Sequence, residues 1–414
     1  MRQSGTAVEG ARDAAHLRRL NLERVLAAAL AQDEPFTRAK LIEITGLSAP
    51  TVGSLTASLI RSGLVTDLGT GPSRGGRRPS RMEFNALHGF SAAIDLGPTL
   101  TRLGLADLRG KLHARRTVPT PRETSPGAML SVLADEVRTL MREANVPSAR
   151  LLAVAAGAPG VVDPRRGMVV ALANNLNGWS DVPMAAILRD ALGVPVIVEN
   201  DVNLAVLGEH WKGAARGHDT CAFLKFGTGV GAGIMVNGHL HHGQNFLAGE
   251  IGLMCMGPQY VETDFGSRGC LETLAGLGAL KVRWPESDAD SPDWVAELFR
   301  AATAGDPKAR QIVQDAGTIL GIATANICSM LDPSIVVLGG ALIGQGELLV
   351  GTVRRVVQRV IPSPPPIVVS SLDKEAPLWG SLLLSTNEAR ARVRQQLGKH
   401  AARHTHERAH DVSG

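Results

Sequence analysis

Aromatic side chains are scarce: Trp, Tyr and Phe together make up 14 of 414 residues, with a single tyrosine. That supply is too thin for a stacking platform along single-stranded nucleic acid. Cysteine is almost as rare. The four present (Cys221, Cys255, Cys270, Cys328) exclude a disulfide scaffold and point to a reducing compartment. Long apolar runs are missing too. The longest uncharged stretch, residues 226–249, holds seven glycines and three histidines and would not insert as a membrane helix. The N-terminal residues lack the apolar centre of a secretory signal. These absences lead to the expectation of a cytoplasmic protein without membrane association. What remains, 44% hydrophobic and 20% charged, is an ordinary globular composition long enough for two or three domains.

Charge is unevenly spread. Residues 1–88 carry 12 Lys/Arg against 8 Asp/Glu, residues 386–414 carry 6 against 3, and the middle is slightly acidic at 25 against 28. A basic head and tail flank the body, which suits either solvated faces or contact with a polyanion.

Residues 1–15 are small and polar and read as disordered. From Leu20 the apolar pattern is helical, through Leu22, Val25, Leu26 and Leu30. Thr37 can cap a second helix that stops at Gly46; Ser48 can cap a third with Pro50 in its first turn. This spacing predicts a helix-turn-helix, with Val52, Leu55 and Leu59 on the inner face of its second helix. Residues 64–68 and 81–85 read as paired strands around GTGPSRGGRRPS, a glycine-rich loop with Arg74, Gly76, Arg77 and Arg78 that has the make-up of a wing. Candidate DNA contacts are therefore Thr37, Arg38, Ser48, Pro50, Thr51 and Ser54 together with those four wing residues. The outward face of the third helix offers serines and threonine but no Arg, Asn or Gln, so its base readout is expected to be thin.

From residue 89 the character changes to α/β. An apolar strand leads into DLGPT (95–99), followed by two more strands; Cys221 onward leads into GTGVGAG (227–233) with the same cadence. Strand, glycine turn, strand, turn, strand, appearing twice, predicts an internal duplication. A dinucleotide fingerprint needs a helix after the glycines. Here a strand follows, so that reading is rejected, while a glycine turn between strands can still offer N–H groups to phosphate. Gly97, Thr99, Gly227, Thr228, Gly229, Gly339 and Gly340 are the candidate phosphate-loop residues. The strand of residues 194–198 ends in Glu199-Asn200-Asp201, where α/β folds place ligands. His239, His241 and His242 fall beside the glycine turn and read as hairpin residues rather than metal ligands.

From about residue 20 to about 384 the chain resembles the ROK family of repressors, open reading frames and kinases. The resemblance rests on DLGPT, GAPGVVD, NNLNGW, VENDVN, GTGVGAGI, NGHLHHG, AGEIG, GCLET and VVLGGAL taken together, and on a head like that of the repressor branch. It implies a winged helix-turn-helix over residues 16–88, then a duplicated, actin-like (ribonuclease H-like) two-lobed sugar-kinase fold with lobes at 89–200 and 201–385, and a C-terminal helix and basic tail at 386–414. It also implies Asp201 as the general base of a kinase, and Asn175, Asn200, Asp201, Glu250 and Glu272 as sugar-binding residues. The family's zinc ligands are replaced by Leu253, Thr263 and Phe265, leaving Cys270, too few for a tetrahedral site, so no zinc is expected. DLGPT departs from DLGGT, and Pro98 removes an N–H, so ATP binding is expected to be weakened.

The reading that follows is a sugar-responsive DNA-binding regulator, a repressor acting as a dimer on a duplex operator without cofactor or enzymatic activity. The alternatives are an ATP-dependent sugar kinase with a DNA-binding head, and a sugar sensor whose head binds a protein. Because base readout looks thin, replacing Arg77 and Arg78 with Ala should weaken DNA binding and flatten its salt dependence, measured by titration at several salt concentrations. Unchanged affinity and slope would remove the wing from the account.

Overall fold

The computed structural model describes residues 4–70, 80–121, 125–172, 178–284 and 293–411, with side chains described for 16–69, 80–121, 125–172, 178–284 and 293–398. The head comprises α1 (Ser4–Leu30), β1 (Phe36–Thr37), α2 (Arg38–Thr45), α3 (Ala49–Arg61), β2 (Val65–Thr70) and β3 (Ser80–Phe84), its strands forming an antiparallel sheet in the order β1-β3-β2. Thr37 Oγ1 accepts from the Lys40 N–H at 3.3 Å, and Gly46 closes α2 at φ 66°. Ser48 Oγ accepts from the Thr51 N–H at 3.4 Å to start α3. Helix α1 begins at Ser4, where disorder was expected up to residue 15. Alanine, glutamate and arginine, good helix formers, dominate residues 7–15.

The first lobe holds β4 (Phe90–Leu96), β5 (Leu100–Asp107), β6 (Leu112–Pro119), α4 (Pro126–Glu143), β7 (Leu151–Ala158), β8 (Val161–Asp163), β9 (Met168–Ala171), α5 (Met184–Leu192), β10 (Val196–Asn200) and α6 (Asp201–Lys212). The second holds β11 (Cys221–Phe226), β12 (Val230–Val236), β13 (His239–Leu240), α7 (Cys270–Ala275), α8 (Leu277–Arg283), α9 (Trp294–Ala304), α10 (Pro307–Leu331), β14 (Ile335–Gly339), α11 (Glu347–Val360), β15 (Ile367–Val369) and the start of α12 (Ala376–Asp411). The main sheets are β6-β5-β4-β7-β10 and β13-β12-β11-β14-β15. In each, three antiparallel strands are followed by two parallel ones, so the duplication read from the glycine turns is a duplication of topology. Central β4 and β7 are buried at every position, as strands covered on both faces must be, whereas edge strand β6 alternates. This is a two-lobed, actin-like arrangement.

Helix α12 starts ten residues before the expected boundary at 386 and returns to the first lobe and the head. Arg390 Nε donates to the Leu108 carbonyl at 2.7 Å and an Arg392 guanidinium N–H to that of Leu152 at 3.0 Å. Ala389, Val393 and Leu397 join one core with Leu22, Val25 and Leu26 of α1, Leu41, Val52 and Leu55 of the head, and Leu108 and Leu152 of the first lobe. The head therefore shares a core with the body.

At its other end α12 crosses α6. Gly208 lies against the Ala376 carbonyl and Gly380 against the Leu204 carbonyl, and a Cβ at either glycine would overlap that backbone oxygen. Gly380→Ala is expected to cost roughly 1–3 kcal/mol in a denaturant melt, as overpacking does. Gly351→Ala, on α11 with only the Glu347 side chain near among the described residues, should be neutral or stabilising. Equal effects would show that the crossing tolerates separation.

Candidate functional site

A cleft of about 970 Å³ lies between the lobes, lined among others by Asn200, Asp201, Asn203, Lys225, Glu250 and Glu272. Its floor is built from two strand ends. Strand β10 ends at Asn200, whose Oδ1 caps α6 by accepting from the N–H groups of Val202 (2.8 Å) and Asn203 (3.0 Å), while its Nδ2 donates to the Gly160 carbonyl at 2.8 Å. The second amide proton of Asn200 has no acceptor among the described residues. Asp201, the first residue of α6, is turned to the second lobe, where Lys225 rises from β11 and places its Nζ 2.5 Å from Asp201 Oδ2. The strand neighbours of Lys225 are Gly231 and Gly339, so no side chain crowds its stem there.

The charges are close and partly buried, and they shift one another. Burial raises Asp95 at the end of β4 to about 6, aided by Asp201 and opposed by Arg102, whose guanidinium lies 3.1 Å from it, and by Lys225. Burial disfavours the Lys225 ammonium, but Asp201, Asp95 and Glu272 outweigh it and hold its pKa above the ordinary lysine value. Glu250 is pushed up to about 7 by burial and then by repulsion from Asp201 and Glu272. Burial raises Glu272 as well, although its Oε2 accepts from the Val230 N–H at 3.0 Å.

Of the expected sugar residues, Asn200, Asp201, Glu250 and Glu272 meet in this cleft; Asn175 lies outside the described residues. Of the expected phosphate-loop residues, Thr228 and Gly229 reach the cleft wall with Pro98, while Gly97, Thr99, Gly227, Gly339 and Gly340 do not. The Gly97 carbonyl accepts from Thr120 Oγ1, the Gly227 N–H donates to the Gly229 carbonyl, and Gly340, at φ 94°, packs on the Phe226 backbone. Leu253 lines the cleft, and Cys270 Sγ, buried, accepts from the Met256 N–H. In the head, Arg38, Ser48, Pro50 and Ser54 are exposed, while Thr37 and Thr51 are half-buried. Arg74, Gly76, Arg77 and Arg78 lie outside the described residues.

Sequence reasoning passed over Lys225, took Glu199 and Asn203 only as part of the strand-end motif, and read His242 as a hairpin residue. Glu199 is buried; its Oε1 accepts from the Asn200 N–H (2.8 Å) and Asn203 Nδ2 (2.9 Å), and its Oε2 lies 2.7 Å from His242 Nε2. Hydrogen bonding to Glu199, against burial, raises the His242 pKa. So His242 pairs with Glu199 beside Asn200 and is not merely a hairpin residue. The signal for Lys225 was available: an ionised side chain inside the apolar run CAFLKF, one residue before the glycine turn.

Because Glu250 titrates near 7 in the folded chain and near 4.5 by itself, folding takes up a proton between those values. Stability from this group is present below about pH 4.5 and is lost as pH rises through about 7. Glu250→Gln should therefore raise Tm by a few degrees at pH 8 and hardly at pH 5, read by thermal melts. The same difference at both pH values would contradict the burial and repulsion described.

The ROK family model matches residues 91–388. The chain is 29% identical over 366 residues to the xylose repressor of Bacillus subtilis, covering 86% of this chain and 93% of that one. It is 32% identical over 305 residues to the glucokinase of Thermotoga maritima, covering 70% and 94%. Among solved structures, the ROK hexokinase of Thermus thermophilus is similar at 33% identity and a TM-score of 0.63, over 73% of this chain and 99% of that one. A ROK family transcriptional regulator, a homolog of the E. coli MLC protein, shares the fold at a TM-score of 0.74 and 22% identity, over 92% of this chain and 99% of that one, head included. With the family model spanning most of the chain and the two-lobed cleft in place, this protein belongs to the ROK family.

Proposed function

We propose that this chain is a sugar-responsive transcriptional repressor that binds duplex DNA as a homodimer and has no kinase role. The observation that carries the reading is the physical continuity of α12. One end crosses α6, whose first residue is Asp201 in the cleft, and the other shares a core with the head. A change in lobe angle on sugar binding would move the head through this helix. The head, with two short helices in sequence and a hairpin after them, fits a winged helix-turn-helix, and α3 would enter the major groove with Ser48, Pro50, Thr51 and Ser54 forward. Thr37 and Arg38 at the start of α2, with Arg74, Gly76, Arg77 and Arg78 of the wing, would meet the backbone and the minor groove. Asn175, Asn200, Asp201, Glu250 and Glu272 would hold the sugar hydroxyls.

Relatives of both kinds, xylose repressors and glucokinases, bracket this choice. The kinase reading draws on the retained Asp201, Glu250 and Thr228-Gly229. Against it, the Lys225 ammonium holds Asp201 Oδ2, so that oxygen is not open to the hydroxyl proton in this arrangement. Pro98 also withholds an N–H from the first turn.

Selection from random duplex DNA at near-physiological salt with competitor present is expected to enrich an inverted repeat, with half-sites spaced by about one helical turn or a multiple (~34 Å). A panel of D-xylose, D-glucose, xylobiose and maltose should contain one sugar that weakens retention at least tenfold. A coupled assay with ATP and the same panel should show no sugar-dependent ATP consumption. Turnover in that assay, or selection without enrichment, would overturn the reading.

A further inference from the structure

The segment between β13 and Glu250 carries three residues in the left-handed region: Gly243 (φ 71°), Phe246 (φ 60°) and Gly249 (φ 95°). Two are glycine, as that backbone favours. The third is a bulky aromatic, for which the conformation is strained. Such strain persists only where surroundings hold it, and an observed outlier of this kind is a reason to look for function.

The surroundings come from the opposite lobe. Arg165, in the turn between β8 and β9, places its guanidinium 4.5 Å from the Phe246 ring centroid, with its Nε also 3.5 Å from Asp163. The His242 ring stands edge-on to Phe246 at 6.3 Å, and its Nε2 reaches Glu199 of β10. Two neighbouring contacts, Arg165 with Phe246 and Glu199 with His242, thus clasp the second lobe's loop to the first. The inner side of the clasp faces the cleft, which Phe246 lines beside Gly160, Asn200 and Glu250. The cleft floor is polar and charged. A sugar ring has hydroxyl edges for such a floor and a C–H face that needs an apolar wall.

We propose that Phe246 is a specificity-determining residue of this cleft: its ring, clamped across the lobes, covers the C–H face of a single sugar ring and bars a second ring from that side. His242 and Arg165 are positioning residues that act through it. The proposal rests on the sugar-binding reading above and adds the size and face of the ligand to it.

Phe246→Gly tests this directly, because glycine removes the ring and also suits the backbone angle. Calorimetric titration with the four-sugar panel is expected to show the wild type binding a monosaccharide in preference to its disaccharide. In Phe246→Gly that monosaccharide should bind at least tenfold more weakly and its preference over the disaccharide should shrink at least tenfold, with Tm not lowered. Phe246→Tyr should restore both. Arg165→Ala should weaken binding in the same direction without touching the cleft floor. Unchanged affinity and ranking in Phe246→Gly, with a wild type that binds, overturns the proposal and leaves the sugar reading intact. A wild type that binds none of the four sugars while selecting DNA removes the sugar reading, and this proposal with it.

Discussion

The close crossing of α6 and α12 is the constraint on which the rest of the structure depends. Two glycines, Gly208 and Gly380, let each helix rest on a backbone carbonyl of the other. Helix α6 begins inside the cleft with Asp201 and packs on β11 and β12 of the second lobe; α12 leaves the second lobe and lies on β4 and β7 of the first. The pair is thus the joint between two copies of one fold. Because helices in backbone contact slide and rotate as units, any ligand that alters the lobe angle acts on a rigid element and not on a loop. The head is attached to the far end of that element through a shared apolar core, with Arg109 adding contacts to the Leu30 carbonyl and Asp33.

Above the joint, electrostatics decides what the cleft can do. Asp95, Asp201, Glu250 and Glu272 would repel one another in a partly dry space, and Lys225, with Arg102 beside Asp95 and Arg268 near Glu272, makes the arrangement tolerable. Buried ion pairs seldom add stability outright, but removing one partner leaves an uncompensated charge at a large cost. Lys225 therefore ties the two strand ends of the cleft floor together through Asp201 Oδ2. Glu199 is the second anchor, tying Asn200, Asn203 and His242 into one buried network around the start of α6.

Much of this was legible from residue order alone. Helix caps at Thr37 and Ser48, the stop at Gly46 and the apolar faces of α3 follow local rules that operate over three or four residues, and the structure places them as expected. The repeated glycine turns announced the duplication, since a strand-turn-strand cadence is written locally. The convergence of Asn200, Asp201, Glu250 and Glu272 was legible through motif likeness. Boundaries were less so: α1 starts at Ser4 and α12 at Ala376, because helix-forming composition extends beyond the segments that periodicity marks.

The sequence by itself determined the local grammar: which residues cap, turn, alternate and bury, and that the body is one fold written twice. These are short-range consequences of backbone sterics and side-chain polarity. Only the tertiary structure decided the pairings that give the cleft its character. Lys225 and Asp201 are 24 residues apart, Glu199 and His242 are 43 apart, and Arg109 meets the head 76 residues away. Charge complementarity and ring contact act through space, and nothing in the order of residues says which lysine will face which carboxylate until the two lobes are folded against each other.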